Sequence, residues 1–464
     1  MGLGVGGVAL WLIVACNGGS TARDGADATA GDDASADAAG IDARTPLPDP
    51  WSLQLIGPWS DEVQFAVAAA DGSLVVGGDI NESAVLGGES MTADGGTNAF
   101  FVARITGDGD VLWAHAFGGN APVILGDVAV GPLGDAYVTG RFKGTIDLGG
   151  PDPVVGVGDT FDFFVARYAA SDGTLVWAKD YGGPAWDAGT ALDVTAEGDV
   201  VVSGYFAGYV QVGGDFLEST DGRDVFLASY AAGDGAHRWS RLLPGPAAEE
   251  VASLEVLGDG SLLAGGFFWT ESGVARVAWL DPNGDVTGAG EVGTGLLNVW
   301  ATAADGDDAI VAGTFRGNVT IGDQDAFNGD VGSFFARVAG ADRTITWATF
   351  AGDEGATGVT DLALGGDGRV LGAGFLLGGH VTFGGDVLNS GDGQAALLLE
   401  LDAGTGEPGG GAIYGHREAR GDAVTARPDG GIFFCGTFRE DIDLGTGVLA
   451  TDTTSDGFAA LLPP

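Results

Sequence analysis

The sequence is short of several residue types, and each shortage argues against a class of protein. Its 464 residues include 65 acidic residues against 19 basic ones, only two of which are lysines, and the formal net charge is −46. A chain this anionic repels phosphate backbones, so nucleic acid is not an expected partner. The four histidines stand at positions 115, 237, 380 and 416 without the spacing of metal ligands. No G-x-S-x-G motif occurs, so the usual nucleophile elbow is absent.

Long apolar runs and helical periodicity are also missing. No window sustains apolar residues at a spacing of 3.6, which excludes helical solenoids. Glycine contributes 87 residues without a strict every-third pattern, so collagen is excluded, and 45% of residues are hydrophobic, which argues against wholesale disorder. Glycine scattered among Val, Leu and Phe indicates many short strands joined by tight turns.

The amino terminus is predicted to be an export signal. Residues 1–16, "MGLGVGGVALWLIVAC", form an apolar run shorter than the roughly 20 residues that span a bilayer. The segment Ile13-Val14-Ala15-Cys16 resembles the lipobox of bacterial lipoproteins. That resemblance implies a signal peptide at 1–15, a lipid anchor on Cys16 and, with Asn17 next, localisation at the outer membrane or cell surface. The alternative is an apolar start with a chance cysteine.

Residues 16–50 are predicted to be a disordered acidic tether, because they contain almost no large apolar side chain. The seven Asp and two Arg of residues 17–50 give a net charge of −5, so residues 51–464 carry the remaining −41. We interpret that acidity as a solvated surface of the folded body.

The body repeats one unit seven times. The glycine that follows a strand in "YVTG" recurs as Gly78, Gly140, Gly204, Gly265, Gly313, Gly374 and Gly436. Around it lie a strand ending in a short turn, the strand into the glycine, an apolar strand such as "FFVARY", and a tryptophan strand such as "VWAKDYGG". Most copies also contain a phrase such as "GRFKGTIDLGG" between the second and third strands, and its glycines are expected to let the chain turn out of the second strand.

Four short strands in each of seven units predict an all-β, seven-bladed β-propeller. The repeated text resembles the bacterial seven-bladed β-propeller repeat (SBBP-type) family over residues 51–464, and six or eight blades are the alternatives. The fourth copy omits the G-x-V-x-F-G segment, so a truncated blade is expected there. Because the body opens with a tryptophan strand and ends just before one, residues 51–57 should close the last blade beside residues 458–462. We expect a monomer.

Antiparallel order places the long loops on one face of the propeller. We label the strands of a blade a to d from the axis outward, so the short a–b and c–d turns share one face and the longer d–a and b–c connections share the other. Binding residues usually lie on such connections. We therefore predict a mouth there in which Trp186 stacks a ring while Arg417 and Arg420 hold an anion. The alternative is that these are loop residues balancing nearby acids.

Three other features favour plain structural interpretations. The acidic clusters at 305–308 and 323–330 hint at Ca²⁺ but lack the spacing of a calcium loop, so ordinary turns are the better interpretation and no cofactor is expected. Cys435 precedes the repeat glycine and is interpreted as a small buried side chain. The tryptophans that recur at one position of the repeat could stack sugars, but their fixed place favours packing between blades: Trp51, Trp113, Trp177, Trp239 and Trp347.

Two functions remain open from the sequence. The first is a non-enzymatic, lipid-anchored cell-envelope module that presents one propeller face to a glycan, a peptide or another envelope protein. The alternative is an exported hydrolase or lyase that uses carboxylates gathered at the axial mouth. Catalysis requires several different polar groups to converge, whereas most copies vary only in Gly, Ala and Asp.

Overall fold

The computed structural model describes residues 48–93, 98–243, 249–268, 275–352, 355–427, 429–451 and 454–462. The predicted signal peptide, Cys16 and almost all of the tether lie outside these residues. The described part of the chain consists of strands and their connections, and it holds no helix of the length and apolarity needed to cross a membrane.

The strands form seven four-stranded antiparallel blades, as predicted. In chain order the first half comprises β1 (Trp51–Ile56), β2 (Phe65–Ala68), β3 (Leu74–Ile80), β4 (Ser83–Leu86), β5 (Glu89–Thr92), β6 (Ala99–Ile105), β7 (Val111–Phe117), β8 (Val123–Val130), β9 (Ala136–Lys143), β10 (Thr145–Ile146), β11 (Val154–Val155), β12 (Phe161–Tyr168), β13 (Leu175–Tyr181), β14 (Asp187–Val194), β15 (Val200–Gln211), β16 (Phe216–Tyr230) and β17 (His237–Leu243).

The second half comprises β18 (Glu249–Val256), β19 (Leu262–Phe268), β20 (Ala275–Leu280), β21 (Val286–Glu291), β22 (Thr294–Asp305), β23 (Asp308–Ile321), β24 (Gln324–Val338), β25 (Ile345–Ala351), β26 (Ala356–Leu364), β27 (Arg369–Phe383), β28 (Asp386–Asp402), β29 (Pro408–Tyr414), β30 (Arg420–Ala426), β31 (Ile432–Phe438), β32 (Asp441–Asp443), β33 (Val448–Ala450) and β34 (Asp456–Leu462). Blades 1 to 7 have β2, β8, β14, β18, β22, β26 and β30 as their innermost strands.

The two ends of the described chain close blade 7 together. Strand β1 pairs antiparallel with β34, from Trp51 opposite Leu461 to Leu55 opposite Gly457. The sheet then runs inward through β31 to β30. The predicted closure is therefore confirmed, and it covers the edge of β34 that an incomplete blade would expose.

Blade 4 keeps all four strands, β18 to β21. Its shortening lies in the connection between β19 and β20, where residues 269–274 are outside the described part of the chain. The truncation that the sequence predicted for blade 4 therefore lies between strands b and c.

The repeated phrase forms a two-stranded ribbon that lies against the preceding blade. In blade 2 the ribbon is β10 with β11, and in blade 3 strands β15 and β16 continue into it without interruption. Ile146 and Leu148 of the blade-2 ribbon are buried. The ribbon backbone bonds to the end of blade 1, with Asp147 N donating to the Gly118 carbonyl over 2.8 Å. The phrase is therefore scaffold that joins consecutive blades.

Glycine is required at two positions of the phrase, for two different physical reasons. Gly144 has a φ of 71°, and Gly208 in the next copy has 74°, so this position does let the chain turn out of strand b, as predicted. The repeat glycine is different. A Cβ at Gly204 would overlap the carbonyl oxygen of Ala188 on the innermost strand. Close approach to the neighbouring strand, and not a turn, therefore requires glycine there.

Candidate binding face and blade junctions

The recurrent tryptophans join neighbouring blades, as the sequence predicted. In blade 2, Trp177 on strand d donates its Nε1–H to the carbonyl of Ala232 in the c–d turn of blade 3, over 2.8 Å. Arg167, opposite Trp177 on strand c, donates from Nη1 to the same carbonyl. Arg167 is held in turn by Asp135 of its own blade, with Nε 2.8 Å from Oδ2. We call this pair of donors on one carbonyl of the next blade the Trp–Arg latch.

Among the described residues the Trp–Arg latch occurs at four of the seven junctions. The Trp Nε1–O and Arg Nη1–O distances are 3.0 and 3.3 Å to Ala170 at junction 1–2, and 3.0 and 2.8 Å to Ala403 at junction 5–6. At junction 7–1 the arginine comes from the a–b turn of blade 7 instead of strand c. There Trp51 and Arg427 lie 2.9 and 3.2 Å from the carbonyl of Gly107. The recurrent tryptophans therefore pack between blades and also donate hydrogen bonds to carbonyl groups of the next blade.

Carboxylates on the innermost strands join blades near the axis. Asp127, Asp193 and Asp361 are buried, and each accepts a bond from a backbone N–H of the next blade: from Leu192, Val256 and Val424, over 2.7 to 2.8 Å. Burial raises the pKa of all three carboxyls, to about 7 for Asp193. The acidic residues of the body therefore do not all lie on its solvated surface, because some of their carboxylates are buried and join neighbouring blades.

Trp186 lies where the sequence placed it, in the d–a loop between blades 2 and 3. Its side chain is 58% exposed, and its ring meets Phe161 edge-on at 5.5 Å. The backbone of the ribbon residue Tyr209 approaches Gly183 of the same loop. Tyr209 and Phe216, with ring centroids 5.9 Å apart, are exposed beside it. The aromatic side chains of this loop and these ribbons thus lie together on the long-loop face.

Two arginines extend this aromatic group toward the axis. Arg141 lies 5.6 Å from the Phe161 ring centroid and donates from Nη1 to the Tyr205 hydroxyl over 2.7 Å. Arg223 lies 4.2 Å from the Tyr205 ring centroid. Within the described part of the chain Arg141 makes no ion pair, and its buried Nε has no hydrogen-bond partner. We define the Trp186 surface as these residues together: Arg141, Phe161, Trp186, Tyr205, Tyr209, Phe216 and Arg223.

A pair of buried carboxyls lies beneath the Trp186 loop. Asp187 Oδ2 accepts from Gly183 N over 2.5 Å, and Asp162 accepts from Val157 N. The remaining oxygen of each carboxyl has no hydrogen-bond partner. Burial raises the pKa of Asp162 to about 6 and that of Asp187 to about 7, and the Asp162 charge raises the latter further. The two carboxyls therefore oppose each other's ionisation.

Sequence reasoning missed that this loop has a twin. Gly57-Pro58-Trp59-Ser60-Asp61, between blades 7 and 1, matches Gly183-Pro184-Ala185-Trp186-Asp187. Asp61 is buried with a pKa raised to about 7 by burial, near Asp456 on strand c, and Trp59 is 56% exposed. The sequence signal that identifies both loops is the pattern G-P-x-x-D. In each case it follows a blade that has an Asp at the start of strand c.

Arg417 and Arg420 lie in the d–a loop and first strand between blades 6 and 7, across the ring from Trp186. Arg417 is largely exposed and pairs with Glu440 at 3.0 Å. Arg420 is mostly buried and lies 2.5 Å from Asp422 and 3.8 Å from Glu62. The contacts of both arginines are thus with nearby acids. A mouth formed jointly with Trp186 stays a prediction.

The remaining sequence candidates have structural contacts. Asp305 and Asp308 of the first acidic cluster both bond to Arg337 of the latch at junction 5–6, at 2.7 and 2.9 Å. Cys435 is fully buried and free, and burial raises the pKa of its thiol. Among the described residues there is no group of three or more Asp, Glu, His or Cys side chains placed to hold a metal ion.

No family model matches the chain, and no curated protein matches it. Solved structures do. BamB from Moraxella catarrhalis aligns with a TM-score of 0.40 and 10% identity over 88% of this chain and 98% of that one. The Dos1 propeller aligns with a TM-score of 0.44 and 8% identity over 89% and 94%, and Saccharomyces cerevisiae Sqt1 with 0.44 and 9% over 88% and 98%. The resemblance to the bacterial propeller repeat family therefore stays a prediction from the sequence.

Proposed function

We propose that the protein is a non-enzymatic binding module, lipid-anchored at the cell envelope through Cys16, that presents its long-loop face to a peptide or protein partner. The observation that carries the proposal is the Trp186 surface. It combines five aromatic rings, three of them at least half exposed, with two arginines on a rigid frame. Trp, Tyr and Arg are the residues that most often dominate the energy of protein interfaces.

The chemistry of the Trp186 surface suggests what the partner presents. The exposed rings offer apolar contact, and the Arg141 and Arg223 guanidinium groups beside them add positive charge. A partner segment with apolar side chains and a carboxylate or carbonyl group would satisfy both. A glycan would also stack on exposed rings, and the test below separates it from a peptide.

The test is a pair of peptide and glycan arrays probed with residues 46–464, which contain every described strand of the ring. Trp186→Ala should reduce binding at least tenfold, because it removes the most central exposed ring. Leu133→Ala is the matched control: Leu133 is 78% exposed but lies in an a–b turn on the opposite face. Glycan spots dependent on Trp186 would change the partner class, and binding unaffected by Trp186→Ala would overturn the site.

The alternative of a hydrolase or lyase is favoured by one observation, the Asp162–Asp187 pair with its raised pKa values. A carboxyl that is protonated near neutral pH can act as a general acid. Turnover of a polysaccharide or peptide substrate that Asp187→Asn abolishes while Leu133→Ala leaves it unchanged would establish the enzyme. Array binding without turnover supports the binding module.

A further inference from the structure

Two junctions of the ring, 4–5 and 6–7, lack both residues of the Trp–Arg latch at their usual positions. In blade 6 the residue opposite Glu400 is Gly410, at the position where blades 2 and 5 carry a tryptophan opposite an arginine. Glu400 stands in the place of the arginine. Two residues further along strand d, Ala412 replaces the longer side chains His115, Lys179 and Thr349. At these three positions, Glu400, Gly410 and Ala412, blade 6 therefore carries either a smaller side chain or one of opposite charge.

The missing side chains leave a cavity. It has a volume of about 480 Å³ and is bounded by Gly410, Ala412, Tyr414 and Glu400 on the blade-6 side, and by Ile432 and Leu462 on the blade-7 side. That volume falls within the ~300–1,000 Å³ typical of small-molecule sites. Its lining mixes apolar side chains, glycine backbone and the carboxylates of Glu400 and Asp386.

Another junction shows that the loss of the tryptophan need not leave a cavity. In blade 4 the corresponding residue is Gly288, opposite Trp279 on strand c. Trp279 donates Nε1–H to the backbone carbonyl of Asp307 over 3.2 Å, and the Arg343 guanidinium lies 3.9 Å from the Trp279 ring centroid. An indole and a cation thus fill junction 4–5 from other strands, whereas no such ring replaces Gly410 among the described residues at junction 6–7.

The charge at the cavity is negative. Glu400 Oε2 bonds Arg369 Nη1 at 3.2 Å, but Arg369 also pairs with Asp367 at 2.6 Å. Counted with Asp386, which also lines the cavity, three carboxylates and one guanidinium give a local net charge of −2. A positively charged group entering the cavity would meet complementary charge.

We propose that the cavity at junction 6–7 binds an aromatic ring that carries a positive charge, such as an aromatic amine. At the other junctions the corresponding space holds an indole beside a guanidinium, and the same pair of groups supplied from outside would meet the apolar side chains and the carboxylates of this lining. This site is separate from the Trp186 surface and does not depend on the proposed function.

The probe is tryptamine, an indole with an ammonium group, titrated calorimetrically into the full chain. Ala412→Phe fills the cavity and should weaken binding at least tenfold, whereas Ala412→Ser should leave it unchanged. Glu400→Gln removes one carboxylate and should weaken binding about tenfold. Indole-3-propionate, which has the same ring and the opposite charge, should bind at least tenfold more weakly than tryptamine.

The fold of each variant is checked by its thermal midpoint, and Glu400→Gln tests the site if Ala412→Phe fails to fold. Trp186→Ala should bind tryptamine as the wild type does, which distinguishes the cavity from the Trp186 surface. No binding of tryptamine at millimolar concentration would overturn the proposal. Equal binding by wild type, Ala412→Phe and Glu400→Gln, or loss of binding in Trp186→Ala alone, would also overturn it.

Discussion

Junctions 2–3 and 6–7 are built from the same repeat, yet they differ in what fills them. At junction 2–3 Trp177 and Arg167 share the carbonyl of Ala232. At junction 6–7 the corresponding residues are Gly410 and Glu400, and a cavity of about 480 Å³ lies beside them. The strands of the ring therefore do not require a latch at every junction. A junction without a latch can provide space for a ligand.

The largest expected effect comes from breaking the latch at junction 2–3. Trp177→Ala removes a ring that is only 7% exposed together with its hydrogen bond, and should lower the free energy of unfolding by about 3–5 kcal/mol. Trp186→Ala, an exposed tryptophan at the same junction, should change it by less than about 0.5 kcal/mol. Chemical denaturation of both variants measures the difference. Equal effects would mean that Trp177 does not join the blades.

Removing the arginine of the same latch should have the next largest effect. Arg167→Gln leaves Asp135 without its cation in a mostly buried place and should cost about 2 kcal/mol. Arg417→Gln breaks an exposed pair with Glu440 and should cost close to nothing. A loss of equal size in the two variants would contradict the role assigned to Arg167.

Filling junction 6–7 should stabilise the protein. Ala412→Phe would place a ring near the apolar side chains of Ile432 and Leu462 and should raise the free energy of unfolding by about 1 kcal/mol. Ala412→Ser serves as the size control. A clear loss of stability in Ala412→Phe would show that the space is too small for a ring, and the comparison between the two junctions would fail.

The smallest effect concerns pH. The pKa of Asp187 is raised to about 7 in the folded protein, so its contribution to stability is present below about pH 4 and is lost as pH rises through 7. Asp187→Asn should therefore flatten the decline in thermal midpoint between pH 4 and 8. Junction 6–7 carries Ala395 and Ala419 at the positions of Asp162 and Asp187, so this pair of carboxyls has no counterpart there. Asp152→Asn, an exposed acid, should keep the wild-type slope.

Much of the fold could be predicted because each blade repeats its text. The repeat glycines indicated the phase and number of the blades, and the tryptophan strand at the start of the body predicted that residues 51–57 would lie beside residues 458–462. The packing role of the tryptophans followed from their constant place in the repeat. These inferences need only periodicity, which a single sequence carries.

The junctions could not be predicted in the same way, because their contacts join residues far apart in the chain. Ala232 accepts from Trp177 and Arg167, which lie 55 and 65 residues away. Nothing in the local sequence marks Ala232 as an acceptor. Likewise, the need for glycine at Gly204 depends on how closely Ala188 approaches it.

The candidate site was predicted only in part. Trp186 is exposed on the long-loop face, where the loop lengths placed it, but its neighbours Phe161 and Arg141 come from strands that the sequence treated as scaffold. Arg420 was predicted to hold an anionic ligand, and its contacts are with Asp422 and Glu62. Composition cannot distinguish a free arginine from one that nearby acids neutralise.

Native-state hydrogen exchange tests the central claim most directly, namely that the latches hold the blades and that junction 6–7 lacks one. The outer strands β13 and β29 occupy the same position in their blades. The account predicts that amides of β29 exchange about tenfold faster than those of β13, and that Trp177→Ala removes the difference. Equal protection of the two strands in the wild type, or faster exchange in β13, would contradict it.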